Sequence, residues 1–229
     1  MEFVWVCFYH LTYLAAGSVP LPQRAERIVL SAAMAVYLGI LLIWLFRSGR
    51  AQRIRICRIR RNRKHTAAAA LALLLFPVCN ILTSAYLETD LLTVLLIFSI
   101  CAVEEIFFRG FLLQYLKRYG ITCAVILSSI IFALYHLSSS AAWDGVSVSL
   151  QILSAFAAGM CYAVSLFLLD SILPGILAHF LTNFTAAPTA TVAVDWIIWC
   201  ICIGLSLLFC IIFLQKCKVP CSCRGEANL

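Results

Sequence analysis

The chain has 229 residues, 64% hydrophobic and only 12% charged, with a formal net charge of +7 and a mean hydropathy of +1.02. A soluble fold of this length cannot hide so much apolar surface, which excludes a cytosolic globular enzyme, a disordered chain and a fibrous protein. The apolar runs are long and continuous, which argues against a transmembrane β-barrel and predicts an all-α fold, a polytopic transmembrane helical bundle of seven to eight membrane segments in a single domain over 1–229.

Residues 3–16 form a short apolar stretch, shorter than the roughly 20 residues a span needs, without a basic flank or a small-residue cleavage site. Full spans are predicted over 27–46 and over 66–87, the second carrying Pro77 as a kink. A long helix over 91–117 follows, with charges in its middle, and Gly120 breaks it. Further spans are predicted over 121–139, 147–169 and 192–215. Residues 172–187 are short and begin with Pro174-Gly175, which predicts a helix that starts inside the membrane or is strongly tilted.

The positive charge is local. Arg47, Arg50, Arg53, Arg55, Arg58, Arg60, Arg61, Arg63 and Lys64 crowd the loop 47–65, with no acid among them. Between two hydrophobic helices such a run reads as a basic cytoplasmic loop that attracts anionic lipid heads, rather than as a nucleic-acid site. Lys117 and Arg118, then Lys216, Lys218 and Arg224 in the tail 216–229, fall on the same side when the helices alternate. Glu26, Glu88, Asp90, Asp144 and Asp195 fall on the other. The loop and the C-terminus are thus expected to be cytoplasmic.

Of the twelve cysteines, Cys79, Cys101, Cys123, Cys161, Cys200, Cys202 and Cys210 lie in apolar runs, where a reduced thiol behaves as a small hydrophobe. Cys57 and the tail trio Cys217, Cys221 and Cys223 are juxtamembrane, where acylation or metal binding are the alternatives to plain thiols.

Ionisable groups inside an apolar helix are costly and therefore point to function. Glu104, Glu105 and Arg109 lie near the middle of the 91–117 helix. Glu105 and Arg109 are four apart, acid first, and an internal ion pair is their natural reading. Glu104 is rotated by about 100° and lacks that partner, as a general acid or base in a poorly solvated place does. His136 shares a helix face with Phe132, and His179 shares one with Asn183. At about 1.5 Å per residue, Glu104 and His136 lie roughly 21 and 24 Å from the inner ends of their helices, and His179 about 10 Å from the start of its own. A single intramembrane His or Asn is usually an interhelical hydrogen-bond residue. Six such groups on three helices have no comparable structural role, and the segment 91–187 is expected to carry the function.

At these residues the chain resembles a known family. Glu104-Glu105-Ile106-Phe107-Phe108-Arg109 resembles the EExxxR signature of the CPBP intramembrane endopeptidases, which include the type II CAAX prenyl endopeptidases and bacterial proteins linked to bacteriocin processing or self-immunity. Phe132 to His136 is similar to the family's FxxxH motif, and His179 to Asn183 to its HxxxN motif, in the family's order. The resemblance implies peptide-bond hydrolysis in a membrane cavity, with catalytic residues Glu104, Glu105, His136, His179 and Asn183. Glu104 would activate water with help from His136, Glu105 and Arg109 would position the site, and His179 and Asn183 would form an oxyanion hole. No cofactor is expected. The alternative is zinc held by Glu104, His136 and His179, although no H-E-x-x-H pair is present. Implied partners are membrane lipid and a hydrophobic or lipidated peptide or protein, not nucleic acid. The compact chain resembles bacterial members, which implies a multi-pass protein of a bacterial cell membrane. A non-proteolytic immunity protein on the same scaffold and a small proton-coupled transporter are the competing functions.

Overall fold

Among the described residues eight helices follow one another along the chain. The structure is a computed structural model, and it describes residues 22–56, 63–83, 90–139, 145–185 and 193–216. Helix α1 spans Gln23–Arg47, the one-turn α2 Arg50–Arg53 and α3 Arg63–Thr83. Helix α4 is a continuous rod over Leu91–Tyr119. Helix α5 is Ile121–Tyr135, extended by a 3-10 turn His136–Ser139. Helices α6, α7 and α8 are Gly145–Leu169, Leu173–Phe184 and Ala193–Lys216. The described residues contain no strand. In lipid every backbone polar group must be satisfied within its own segment, and helices achieve that without edges.

Among the described residues five helices are long and apolar enough to cross a membrane, within α1, α3, α4, α6 and α8, and α5 is a shorter apolar helix. The chain is an integral membrane protein with the all-helical architecture its composition predicts. The stretch 3–16, Cys57 and the tail cysteines lie outside the described residues, as do Arg58, Arg60, Arg61, Glu88 and Asp144. The described cysteines carry no disulfide, and Cys79, Cys101, Cys161, Cys202 and Cys210 are buried, as small hydrophobes are.

Two predicted helices differ from their expected form. The 91–117 helix is α-helical only over Leu91–Glu105; Ile106–Leu112 is a π-helix, before α-helix resumes at Leu113–Leu116 and a 3-10 turn closes Lys117–Tyr119. A π segment widens the turn and commonly marks a functional site. The 121–139 span tightens at His136, where the α-helix gives way to the 3-10 turn.

Packing at the two ends of the bundle fixes the helices that carry the site. At one end Asp90 caps α4, accepting from the backbone N–H of Thr93 at 3.2 Å and from its hydroxyl at 2.7 Å. That hydroxyl holds the Asp90 carboxyl below its ordinary range. Arg27 of α1 lies 3.6 Å from the same carboxylate, and the Ser31 hydroxyl donates to the Leu92 carbonyl at 2.9 Å. At the opposite end the short helix α7 begins buried: Ser171 and Ile172 are inaccessible, as the Pro-Gly start predicts. The basic loop meets it there. Ala51, Ile54 and Ile56 are buried in the core, so this part of the loop is packed structure and not only a charged tether.

Helix α6 is the most buried of the five long apolar helices and forms the centre of the bundle. Helices α3, α5, α7 and α8 pack around it. Helix α7 lies between α4 and α6, which brings residues of three helices to one level.

Candidate active site

The carboxylates come from the last turn of the α-helical part of α4. Glu105 is 0% exposed and Arg109 1%, and Arg109 Nη1 lies 3.1 Å from Glu105 Oε1. The π segment begins directly after Glu105 and carries Arg109 toward α6, where its Nη2 donates to the Gly159 carbonyl at 3.1 Å. The guanidinium carbon also lies 4.2 Å from the Phe132 ring centre and 5.4 Å from that of Tyr162, a cation–π enclosure among buried side chains. Gly159 makes this approach feasible. A Cβ there would lie 3.0 Å from Arg109 Nη2 and 3.1 Å from Phe132 Cδ1.

The same Glu105 holds the imidazole of α7. His179 Nδ1 donates to Glu105 Oε1 at 3.1 Å, so one carboxylate oxygen fixes both Arg109 and His179. In the neutral ring Nε2 then carries the lone pair, and it faces Glu104 Oε2 at 3.7 Å. Tyr162 stacks on the His179 ring, with centres 5.4 Å apart and planes 24° from parallel, while Phe132 meets it edge-on at 5.5 Å. The ring is thereby held from three sides.

His136 stands where α5 tightens. Its Nδ1 lies 2.8 Å from the Phe132 carbonyl. A carbonyl only accepts, so Nδ1 carries the proton and Nε2 the lone pair. Glu104, His136 and His179 each offer one ligand atom, and these atoms all lie within 4.8 Å of one another. Glu104 thus faces imidazoles from α5 and α7.

Asn183 is placed differently. It lies on the His179 face of α7, one turn further on, but its amide donates to Cys101 Sγ at 3.4 Å and is exposed. It is not bonded to any of the other five predicted residues in this state. Helix α7 is anchored near that end by Asn80 of α3, whose amide donates to the Thr182 carbonyl at 2.7 Å. Because α7 ends at Phe184, that carbonyl is one of those a helix terminus leaves to side-chain donors, and it also accepts from the Thr185 hydroxyl at 3.3 Å.

The donor set fits a metal ion as well as a water. Two imidazoles and a carboxylate are a familiar catalytic zinc set. Both rings are oriented through Nδ1 by an acceptor, Phe132 carbonyl and Glu105 respectively, as zinc histidines are.

Sequence reasoning missed Tyr162, Gly159 and Cys101. Each reads as ordinary helix interior, and only the crossing of α6 and α7 over α4 gives it a role. An aromatic hydroxyl inside an otherwise apolar helix was the one available signal, at Tyr162.

Residues 87–185 match the family model described as Type II CAAX prenyl endopeptidase Rce1-like, and this match covers all three motifs. No curated protein and no solved structure matches the chain.

Proposed function

We propose that this chain, whose residues 87–185 match the type II CAAX prenyl endopeptidase Rce1-like family model, hydrolyses a peptide bond of a hydrophobic or lipidated peptide with a water activated between Glu104, His136 and His179. The observation that carries this reading is the convergence of those three side chains from three helices, with ligand atoms within 4.8 Å of one another. In an apolar bundle such a cluster has no function as packing.

The chemistry follows from the groups. Glu104 takes one proton from water, His136 Nε2 accepts a hydrogen bond from the other O–H and orients it, and the hydroxide attacks the scissile carbonyl. His179, anchored at Nδ1 by Glu105, presents its other nitrogen as N–H in the cationic form, flanked by two carboxylates. Asn183 supplies the second donor to the oxyanion by exchanging its weak sulfur acceptor at Cys101 for the developing O⁻. The proton held by Glu104 then passes to the leaving amine. Glu105 and Arg109 touch no substrate and hold the geometry. The basic end of the bundle lies in the cytoplasm on this reading, because Arg47, Arg50, Arg53, Lys117 and Arg118 gather there.

A zinc-dependent form of the same reaction is the second reading, favoured by the Nδ1 anchoring of both histidines. Glu104, His136 and His179 would hold the ion, which would supply a Lewis acid and a water of lowered pKa. We favour the metal-free reaction. Purified protein, dialysed against chelator and shown by elemental analysis to lack zinc, is expected to retain cleavage of a lipidated peptide followed by mass spectrometry. Loss of cleavage restored by zinc alone overturns the metal-free mechanism.

A further inference from the structure

Arg55 and Asp170 are the two non-glycine residues with left-handed backbone among those described, with φ of 61° and 58°. They are also partners in one ion pair, Arg55 Nη1 to Asp170 Oδ1 at 2.6 Å, with side chains 29% and 18% exposed. Left-handed backbone in an L-residue persists only where its surroundings fix it. Here they do. The Ile172 N–H donates to the Arg55 carbonyl at 3.1 Å. The Ser171 hydroxyl donates to the Ile56 carbonyl at 3.1 Å and accepts from the Leu173 N–H at 3.3 Å. Next to them Ile54 packs on Gly110 of the π segment, where an added Cβ would meet Ile54 Cβ at 3.2 Å. The segment from Ile54 to Ile56 therefore joins three parts of the bundle: the π segment with Arg109, the end of α6, and the start of α7 with His179. Lys117 faces the same pair from α4.

We propose that the Arg55–Asp170 pair is a positioning clamp, by which the basic loop sets the depth of α7 against α4 and hence the seating of His179 between Glu104 and Glu105. Helix α7 has only 12 residues and starts buried, and the polar residues that lead into it, Asp170 and Ser171, are held by the loop. The loop supplies the fixing from outside the family-matched segment. The inference rests on the hydrolase reading for its kinetic consequence, but not for its structural one.

Glycine substitution separates the clamp from simple stability. Arg55→Gly and Asp170→Gly remove the ion pair while suiting the left-handed backbone. Each is expected to lower kcat about tenfold, as a small misplacement of a catalytic group does, with KM within about twofold and the melting temperature retained. Backbone hydrogen exchange across Leu173–Phe184 is expected to accelerate in both, measured on the full chain in nanodiscs. The exchanged pair Arg55→Asp with Asp170→Arg is expected to restore kcat to within a few-fold of the parent. Unchanged kcat, a kcat that falls only in step with melting temperature, or a swap no better than the single variants overturns the clamp. If the parent protein cleaves nothing, the hydrolase reading fails and the exchange data alone decide. Accelerated exchange confined to α7 upholds the clamp, and unchanged exchange overturns it.

Discussion

Glu104→Gln is expected to slow peptide hydrolysis by about 10²–10⁴-fold, the usual contribution of a positioned general base, while leaving the fold intact. The amide keeps the shape and volume of the carboxylate, and Glu104 makes no bond that the packing depends on. Its nearest described polar contact is the 3.7 Å approach to His179 Nε2. An amide cannot take the proton from water, so kcat falls and substrate binding is largely preserved. Size-exclusion behaviour and melting temperature like those of the parent, together with lost turnover of a lipidated peptide, are the expected results. Turnover at the parental rate removes Glu104 from the mechanism.

Arg109→Met is expected to act on the fold. Glu105 and Arg109 are both essentially inaccessible, and removing the cation leaves a carboxylate in an apolar interior. Breaking a buried pair on one side costs about 3–5 kcal/mol. The loss reaches further than the pair, because Arg109 also donates to the Gly159 carbonyl and lies over Phe132. Freed of its partner, Glu105 is no longer held as the anchor of His179. A double variant, Glu105→Gln with Arg109→Met, removes both charges and is expected to recover part of the lost stability, since an apolar or neutral pair leaves no uncompensated charge. Thermal denaturation of the solubilised protein measures both. Equal stability of the single variant and the parent contradicts a structural role for the ion pair.

These two substitutions show why part of the site was legible in the sequence. Glu104, Glu105 and Arg109 stand out because charge is scarce in the helix that holds them, and His136, His179 and Asn183 because polar groups four residues from a motif partner share its face. The ion pair within one helix follows from spacing alone. What spacing does not give is contact between helices. That Glu105 grips His179, 74 residues away, depends on α7 lying against α4. Tyr162 and Gly159 look like any aromatic and any small residue of a buried span, and their roles appear only where Arg109 and His179 meet α6. The π segment was equally invisible, because Ile106–Leu112 has the composition of an ordinary apolar helix. The basic loop misled in another way. Its charge reads as that of a solvent-facing loop, but its three buried apolar residues, interleaved with arginines, are what tie it into the bundle.

The fold subdivides along the same line. Composition and charge predict the helices from α1 onward, because hydropathy and positive loops act over whole segments. They do not predict where α5 tightens at His136 or why α7 is short. Both follow from the site: His136 must turn its Nδ1 to the Phe132 carbonyl, and α7 must begin deep enough for His179 to stand level with Glu104.

The central claim is that this membrane cluster cuts peptide bonds. Its most direct test is mass spectrometry of membrane peptides from cells that express either the parent protein or Glu104→Gln at equal levels. The account predicts peptides with new C-termini present with the parent and absent with Glu104→Gln, and their uncut precursors accumulating in the variant. Identical peptide sets in the two strains would contradict it.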